Sequence, residues 1–424
     1  MTQQPWGGPL WHAGGGRSAR FPIRLRGVVD SAAVGSLRSF FDLELLDNRY
    51  PSLHGLRVLA IVSVIQLHVM LFLPGMPGRP IDSALLEASK AVFFGMDLFF
   101  VLSGFLIGAI LLRSVESRGS QSSWRFYLRR IFRTFPPYYL LLTLLVVLVP
   151  INATQRHHLW MEYAYLSNYA HPLIPEDLVM PWGWSLALEE QFYLAVPLLV
   201  ALLYKLRGDR MRLGALGVLW VIPLLARLAA HFRHPEWSDA DIGDALYCRT
   251  HTRFDTLVAG IVIAYVQNRW REPIELALRN PFARAALALP SLACLWILMS
   301  VKNFGDEALP LLRVLSWGTL TSIMYFGWLM LLLNGGDGWI RRTLSLPLFR
   351  RVATLGYGVY LLHIPLWWYL GPFVYLFGAR GGWSAGVVWA FGVGLLTIAS
   401  IAGAYVLHIL VEKPFLRLRD RWAP

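Results

Sequence analysis

Of the 424 residues, 56% are hydrophobic and only 15% are charged, and the mean hydropathy is +0.48. A water-facing surface cannot be built from that balance, which excludes a soluble globular protein and points to a membrane-embedded chain. The formal charge of +13 does not indicate nucleic acid, because the basic residues lie between apolar runs rather than in one stripe, so no nucleic-acid partner is expected.

Residues 1–47 are rich in Gly and Arg and lack the apolar centre of a cleaved signal peptide, so a poorly ordered cytoplasmic tail is expected there. Ten apolar runs then follow, each near the 17 to 25 residues that a helix needs to cross a bilayer core of about 30 Å. Their approximate limits are 55–74, 91–112, 134–150, 183–204, 213–230, 249–267, 283–301, 314–333, 352–377 and 385–410. A shorter run around Trp160 to Tyr169 reads as interfacial. With the N-terminus inside, alternate connections hold 28 Lys and Arg on the inner side against seven on the outer. Cytoplasmic loops carry such an excess. The expected fold is thus an all-α polytopic membrane protein with both termini cytoplasmic, a membrane domain over 48–415 and a short C-terminal tail over 416–424. Cys248 and Cys294 are the only cysteines and have no metal-ligand spacing, so no metal is expected.

Ionisable groups inside a span are costly and become functional candidates, with a buried structural pair as the alternative. In the first run, Arg57 and His68 lie eleven residues apart, which returns to within roughly 20° of the same helical face and separates them by roughly 16 Å. That places Arg57 near the cytoplasmic boundary and His68 at mid-bilayer. A snorkelling arginine and a histidine bonded to a neighbouring helix fit the same spacing. In the second run, Asp97 falls roughly 9 Å below the outer boundary, and Ser103, Gly104 and Gly108 offer small surfaces for close packing. Arg130 and Arg133 share a face just before the third run, either as phosphate ligands or as topology-setting charge.

The fourth run carries adjacent carboxylates, Glu189 and Glu190. Ser185 and Glu189 share a face while Glu190 points about 100° away. The neighbouring Trp182 and Trp184 read as an interfacial belt. Further on, Arg253 and Asp255 read as an ion pair or a helix start, and Tyr357, Tyr360 and His363 form an aromatic and histidine group at mid-membrane. Four groups from separate spans, His68, Asp97, Glu189 and His363, are therefore expected at one depth above an inner arginine cluster. A proton-transfer centre beside an anion site would look like this. So would a proton-coupled transporter or a glycolipid flippase.

Six strings together resemble the acyltransferase 3 family of bacterial membrane O-acyltransferases: HGLRVLAIVSVIQLH, GMDLFFVLSGFLIG, RRIFR before PPYY, WSLALEEQFYLAVPLL, RFDTLVAG and GYGVYLLHIP. The resemblance implies a ten-span helical fold in a bacterial cytoplasmic membrane, with membrane lipid, an acyl-CoA donor (acetyl-CoA in particular) and a glycan or glycolipid acceptor as partners. It implies that His68 is the catalytic histidine, which as a general base would be oriented by Glu189 or Asp97. Arg57, Arg130 and Arg133 would hold the donor, and Ser103, Ser185, Glu190, Tyr193, Arg253, Asp255, Tyr360 and His363 would support the site. Some relatives carry a further extracytoplasmic domain, and this chain ends soon after its tenth run.

Overall fold

A computed structural model describes residues 41–72, 94–118, 123–174, 176–234, 241, 243–300 and 314–422. Among them every regular element is helical. Uninterrupted apolar sequence explains this, since backbone polar groups in lipid must be satisfied within the segment. In chain order the helices are α1 (Pro51–Phe72), α2 (Gly95–Arg118), α3 (Ser123–Leu148), α4 (Ala153–Tyr163), α5 (Trp184–Lys205), α6 (Asp209–Arg233) and α7 (Asp255–Ala277). They continue with α8 (Pro281–Ser300), α9 (Thr321–Asn334), α10 (Trp339–Leu344), α11 (Pro347–Thr354), α12 (Gly356–Arg380), α13 (Ala385–Leu407) and α14 (Lys413–Trp422).

Nine of the described helical segments are long and apolar enough to cross a membrane, against ten expected. The run expected at 249–267 is the exception. Its first six residues form turns, and α7 begins only at Asp255 and ends among Arg269, Arg271, Glu272 and Glu275. Its apolar half is nevertheless deeply buried, because α7 packs along α2 more extensively than any other helix pair. Glycines make that approach possible. A methyl group at Gly104 would collide with the Leu257 carbonyl, and one at Gly260 with the Val101 carbonyl. Small residues at facing positions let two backbones meet in this way.

Helix α1 is the hub, in contact with α2, α10, α11, α12 and α13. Leu53, Ala60, Ile61, Val64, Ile65 and Val69, with the polar Ser52, His54 and Gln66, are buried around most of its circumference, the pattern of a helix enclosed by others. Helices α6 and α8 instead expose Val218, Leu225, Phe232, Phe282, Leu289 and Trp296, as lipid-facing helices do.

Other boundaries differ with a physical reason. The third span starts at Ser123, because Pro136 and Pro137 are accommodated inside α3 and do not begin it. Arg130 and Arg133 therefore sit within the helix. The eighth span is broken at Trp317 and Gly318, where Gly318 takes a φ of 115° that favours glycine. The last span runs through a π-type turn at His408–Glu412 into α14. The expected tail at 1–47 lies outside the described residues up to 40. Its final residues are held: the Arg350 guanidinium donates twice to the Leu46 carbonyl, at 2.6 and 2.8 Å.

Candidate active site

A cavity of about 1060 Å³ opens between α1, α2, α3, α5 and α12. Its wall follows α2 from Met96 to Glu116, a rise of about 30 Å at 1.5 Å per residue. The start of α2 lies at Ser63 of α1 and its end at Tyr50, to whose hydroxyl Arg113 donates at 3.4 Å. The two helices are therefore antiparallel, and the cavity is polarised along them. Arg49, Arg113, Arg125, Arg129 and Arg419 surround one end, whereas Met96, Phe100, Ser185 and Tyr360 form the other.

The expected donor-side arginines meet. Arg57, Arg130 and Arg133 all line the cavity although they come from two helices. The Arg130 guanidinium lies over the rings of Phe126 and Tyr193, at 5.7 and 5.4 Å from their centroids. Its Nε is buried without a hydrogen-bond partner. A buried donor left unpaired is costly and marks a place for an acceptor. Glu189 lines the same wall, hydrogen-bonded to Ser103 and Tyr193 and within Coulombic range of Arg130 and Arg57. Ser103 and Tyr193 share a hydrogen bond of 2.8 Å. Ser185, Glu189 and Tyr193, spaced by four, thus present one face of α5 to the cavity, and Glu190 turns away towards Thr134.

At the other end, the Tyr360 hydroxyl donates to the Trp182 carbonyl at 2.7 Å, so the 2.5 Å contact between Ser185 and Tyr360 has the serine as donor. Trp182 and Trp184 are buried and do not form an interfacial belt. Trp182 instead supplies the carbonyl that holds Tyr360. Three residues along α12 from Tyr360, the rings of His363 and His68 meet edge to face with centroids 4.9 Å apart. His68 Nδ1 lies 2.9 Å from the Val64 carbonyl, and His363 Nδ1 lies 2.5 Å from that of Tyr360. A carbonyl only accepts, so both Nδ1 atoms carry hydrogen and both Nε2 atoms present lone pairs.

Asp97 is not brought to His68. It sits in the first turn of α2 and pairs with Arg253 at 2.8 Å, both side chains fully buried, with the guanidinium stacked on Tyr247 at 4.4 Å. Nor do Arg253 and Asp255 pair with each other. Asp255 binds Arg227 at 2.7 Å, and Arg227 also reaches the Val314 and Thr252 carbonyls and the Thr319 hydroxyl. Neither pair lines the cavity. The expectation that placed Asp97 beside His68 compared depth alone, and depth carries no information on which neighbour a buried charge faces.

The sequence reading missed His54, Arg113, Arg125, Arg129 and Arg419 as cavity residues. A signal existed for His54, three residues before Arg57 and so on its face. It also missed Glu162, a fully buried carboxylate that accepts from the amides of Val179 and Met180 at 3.1 and 2.7 Å. That clamp holds the segment leading into Trp182. Burial pushes its carboxyl up to about 7.

His68 and His363 do not line the cavity; its end is closed by Tyr360, whose ring lies 5.3 Å from that of His363. Fold and site together define a polytopic helical membrane protein with a long basic cavity and two histidines behind its closed end. Residues 50–409 match the acyltransferase domain, and the chain belongs to the acyltransferase 3 family. It is 26% identical over 339 residues to the peptidoglycan O-acetyltransferase OatA of Listeria monocytogenes, covering 74% of this chain and 49% of that protein. It is 27% identical over 339 residues to a putative peptidoglycan O-acetyltransferase of Bacillus subtilis (75% and 49%). With a putative O-acetyltransferase of Staphylococcus aureus it shares 25% over 337 residues (74% and 50%). The chain spans about half the length of these relatives. No solved structure matches it significantly.

Proposed function

We propose that the protein is a membrane O-acyltransferase that moves an acyl group, acetyl in particular, from cytoplasmic acyl-CoA to a hydroxyl of an extracytoplasmic glycan or glycolipid at a bacterial cytoplasmic membrane. The observation that carries this reading is the polarised cavity. Its arginine-lined end suits a phosphorylated headgroup, since guanidiniums bind phosphate bidentately. Its volume is at the upper end for small-molecule sites, and its length suits an extended pantetheine arm. The names of the similar proteins favour a peptidoglycan-like acceptor.

In this mechanism the acceptor hydroxyl gives its proton to Nε2 of His68 as its oxygen attacks the thioester carbonyl. The tetrahedral intermediate then expels the CoA thiolate, which takes the proton back from the imidazolium. The new ester C–O bond replaces the C–S bond, and no net proton is gained. The Val64 carbonyl fixes the tautomer, and His363 packs against the ring. Glu189 supports the arginine cluster, and the Asp97–Arg253 pair ties α2 to the turn before α7.

Proteoliposomes test the proposal directly. With labelled acetyl-CoA on the arginine side and a glycan on the other, label is expected on the glycan while the CoA moiety stays where it was added. Movement of a glycolipid across the bilayer without acylation would support a flippase and contradict the proposal.

A further inference from the structure

His54 has no role in that mechanism, yet its setting is unusual. It is 4% exposed, lines the cavity, and neither ring nitrogen has a hydrogen-bond partner of good geometry. Its nearest polar contact is a weak one with the backbone of Asp47, so the buried imidazole keeps hydrogen-bonding capacity for a better-placed partner. Arg57 follows three residues later and lines the same cavity. The other charged groups facing His54 are Arg350 and Asp47. Asp47 is itself occupied with the Arg49 amide at 3.2 Å, so the local field is positive. Helix α1 also begins here: Tyr50, Leu53, His54 and Arg57 all reach the cavity wall, which turns the positive end of a 22-residue helix towards it.

We propose that the first turn of α1, through His54 and Arg57, forms a phosphate subsite of the cavity in which His54 donates a hydrogen bond to a phosphoryl oxygen of the CoA donor. The proposal rests on the donor reading above. The same phosphate chemistry is offered by an anionic lipid headgroup, so the test separates the two sources.

Wild-type protein and His54→Leu, in nanodiscs of phosphatidylcholine, are titrated calorimetrically with CoA and with 3′-dephospho-CoA, and the CoA titration is repeated in nanodiscs containing phosphatidylglycerol. The expected result is that His54→Leu, which has no donor, weakens CoA binding about tenfold, the loss of one charge-assisted hydrogen bond, with a melting temperature in the absence of ligand no lower than that of the wild type. If the 3′-phosphate is the contacted group, the variant binds 3′-dephospho-CoA as the wild type does. If the diphosphate is contacted, both ligands weaken alike. Equal CoA affinity in variant and wild type would overturn the subsite. Phosphatidylglycerol that weakens CoA binding to the wild type but not to His54→Leu would assign His54 to a lipid headgroup, overturning the donor contact. Absence of CoA binding to the wild type would overturn the donor reading and this inference together. His54→Gln, whose amide N–H still donates, should lose less than His54→Leu, and an equal loss in both would overturn the hydrogen bond.

Discussion

The Asp97–Arg253 pair separates two kinds of role for a buried carboxylate. Both side chains are fully buried and 2.8 Å apart. Replacing Asp97 by Leu alone leaves a dry guanidinium supported by the Tyr247 ring and, at longer range, by Asp255, at a cost of about 3–5 kcal/mol. Replacing both, as Asp97→Leu with Arg253→Met, removes the two desolvation penalties along with the attraction, and such exchanges are neutral or stabilising by about 1–4 kcal/mol. The single variant should therefore melt well below the wild type and give little folded protein. The double variant should recover the melting temperature and, with it, acetyl transfer per folded molecule. Thermal unfolding in detergent and a labelled-acetyl transfer assay on the same preparations measure the two quantities. A double variant as stable as the wild type but without transfer would refute the structural assignment and return Asp97 to the chemistry.

Three further outcomes follow from named contacts. Glu162 keeps its proton to about pH 7 in the folded protein and to about 4.5 when unfolded. Between those values the native state binds more protons, so stability should fall by up to about 3 kcal/mol as pH rises from about 4.5 to 7 and then level off, a slope that Glu162→Gln should remove in unfolding curves. A Cβ on Gly318, at φ 115°, would meet the Asp255 carboxylate and displace it from Arg227. Gly318→Ala should accordingly cost at least about 3 kcal/mol, read as a lowered melting temperature. Arg130→Ala removes a cavity guanidinium and should raise the acetyl-CoA KM about 10- to 100-fold, at about 1.5–3 kcal/mol for a hydrogen bond to a charged group. An unchanged KM would remove Arg130 from the donor site.

Much of the architecture was legible because it follows from the solvent. Apolar run length places helices such as α5, α6 and α8 within a few residues, since a bilayer demands that length. The face shared by Ser185 and Glu189, and the opposite turn of Glu190, follow from helical periodicity alone. What sequence could not give is partnership across helices. Asp97 and His68 looked alike in depth, but Asp97 faces α7 and Arg253, a contact made by Gly104 and Gly260 permitting close approach. The third run was placed from residue 134 because apolar run length passes over the basic turns before it, whereas α3 begins at Ser123 and carries Pro136 and Pro137 in its interior. The cavity arginines were recognised only where they matched a spacing along one helix. Arg113 and Arg419 reach the same cavity from α2 and α14, over 300 residues apart in sequence.

Whether His68 is the base of the transfer is decided with purified protein, labelled acetyl-CoA and a panel of lipid-linked and polymeric sugars, comparing wild type with His68→Ala at matched folded concentration. The wild type should label at least one acceptor, and His68→Ala, still binding acetyl-CoA, should transfer at least 100-fold less, within the range for loss of a general base. Equal transfer by both proteins would remove His68 from the chemistry.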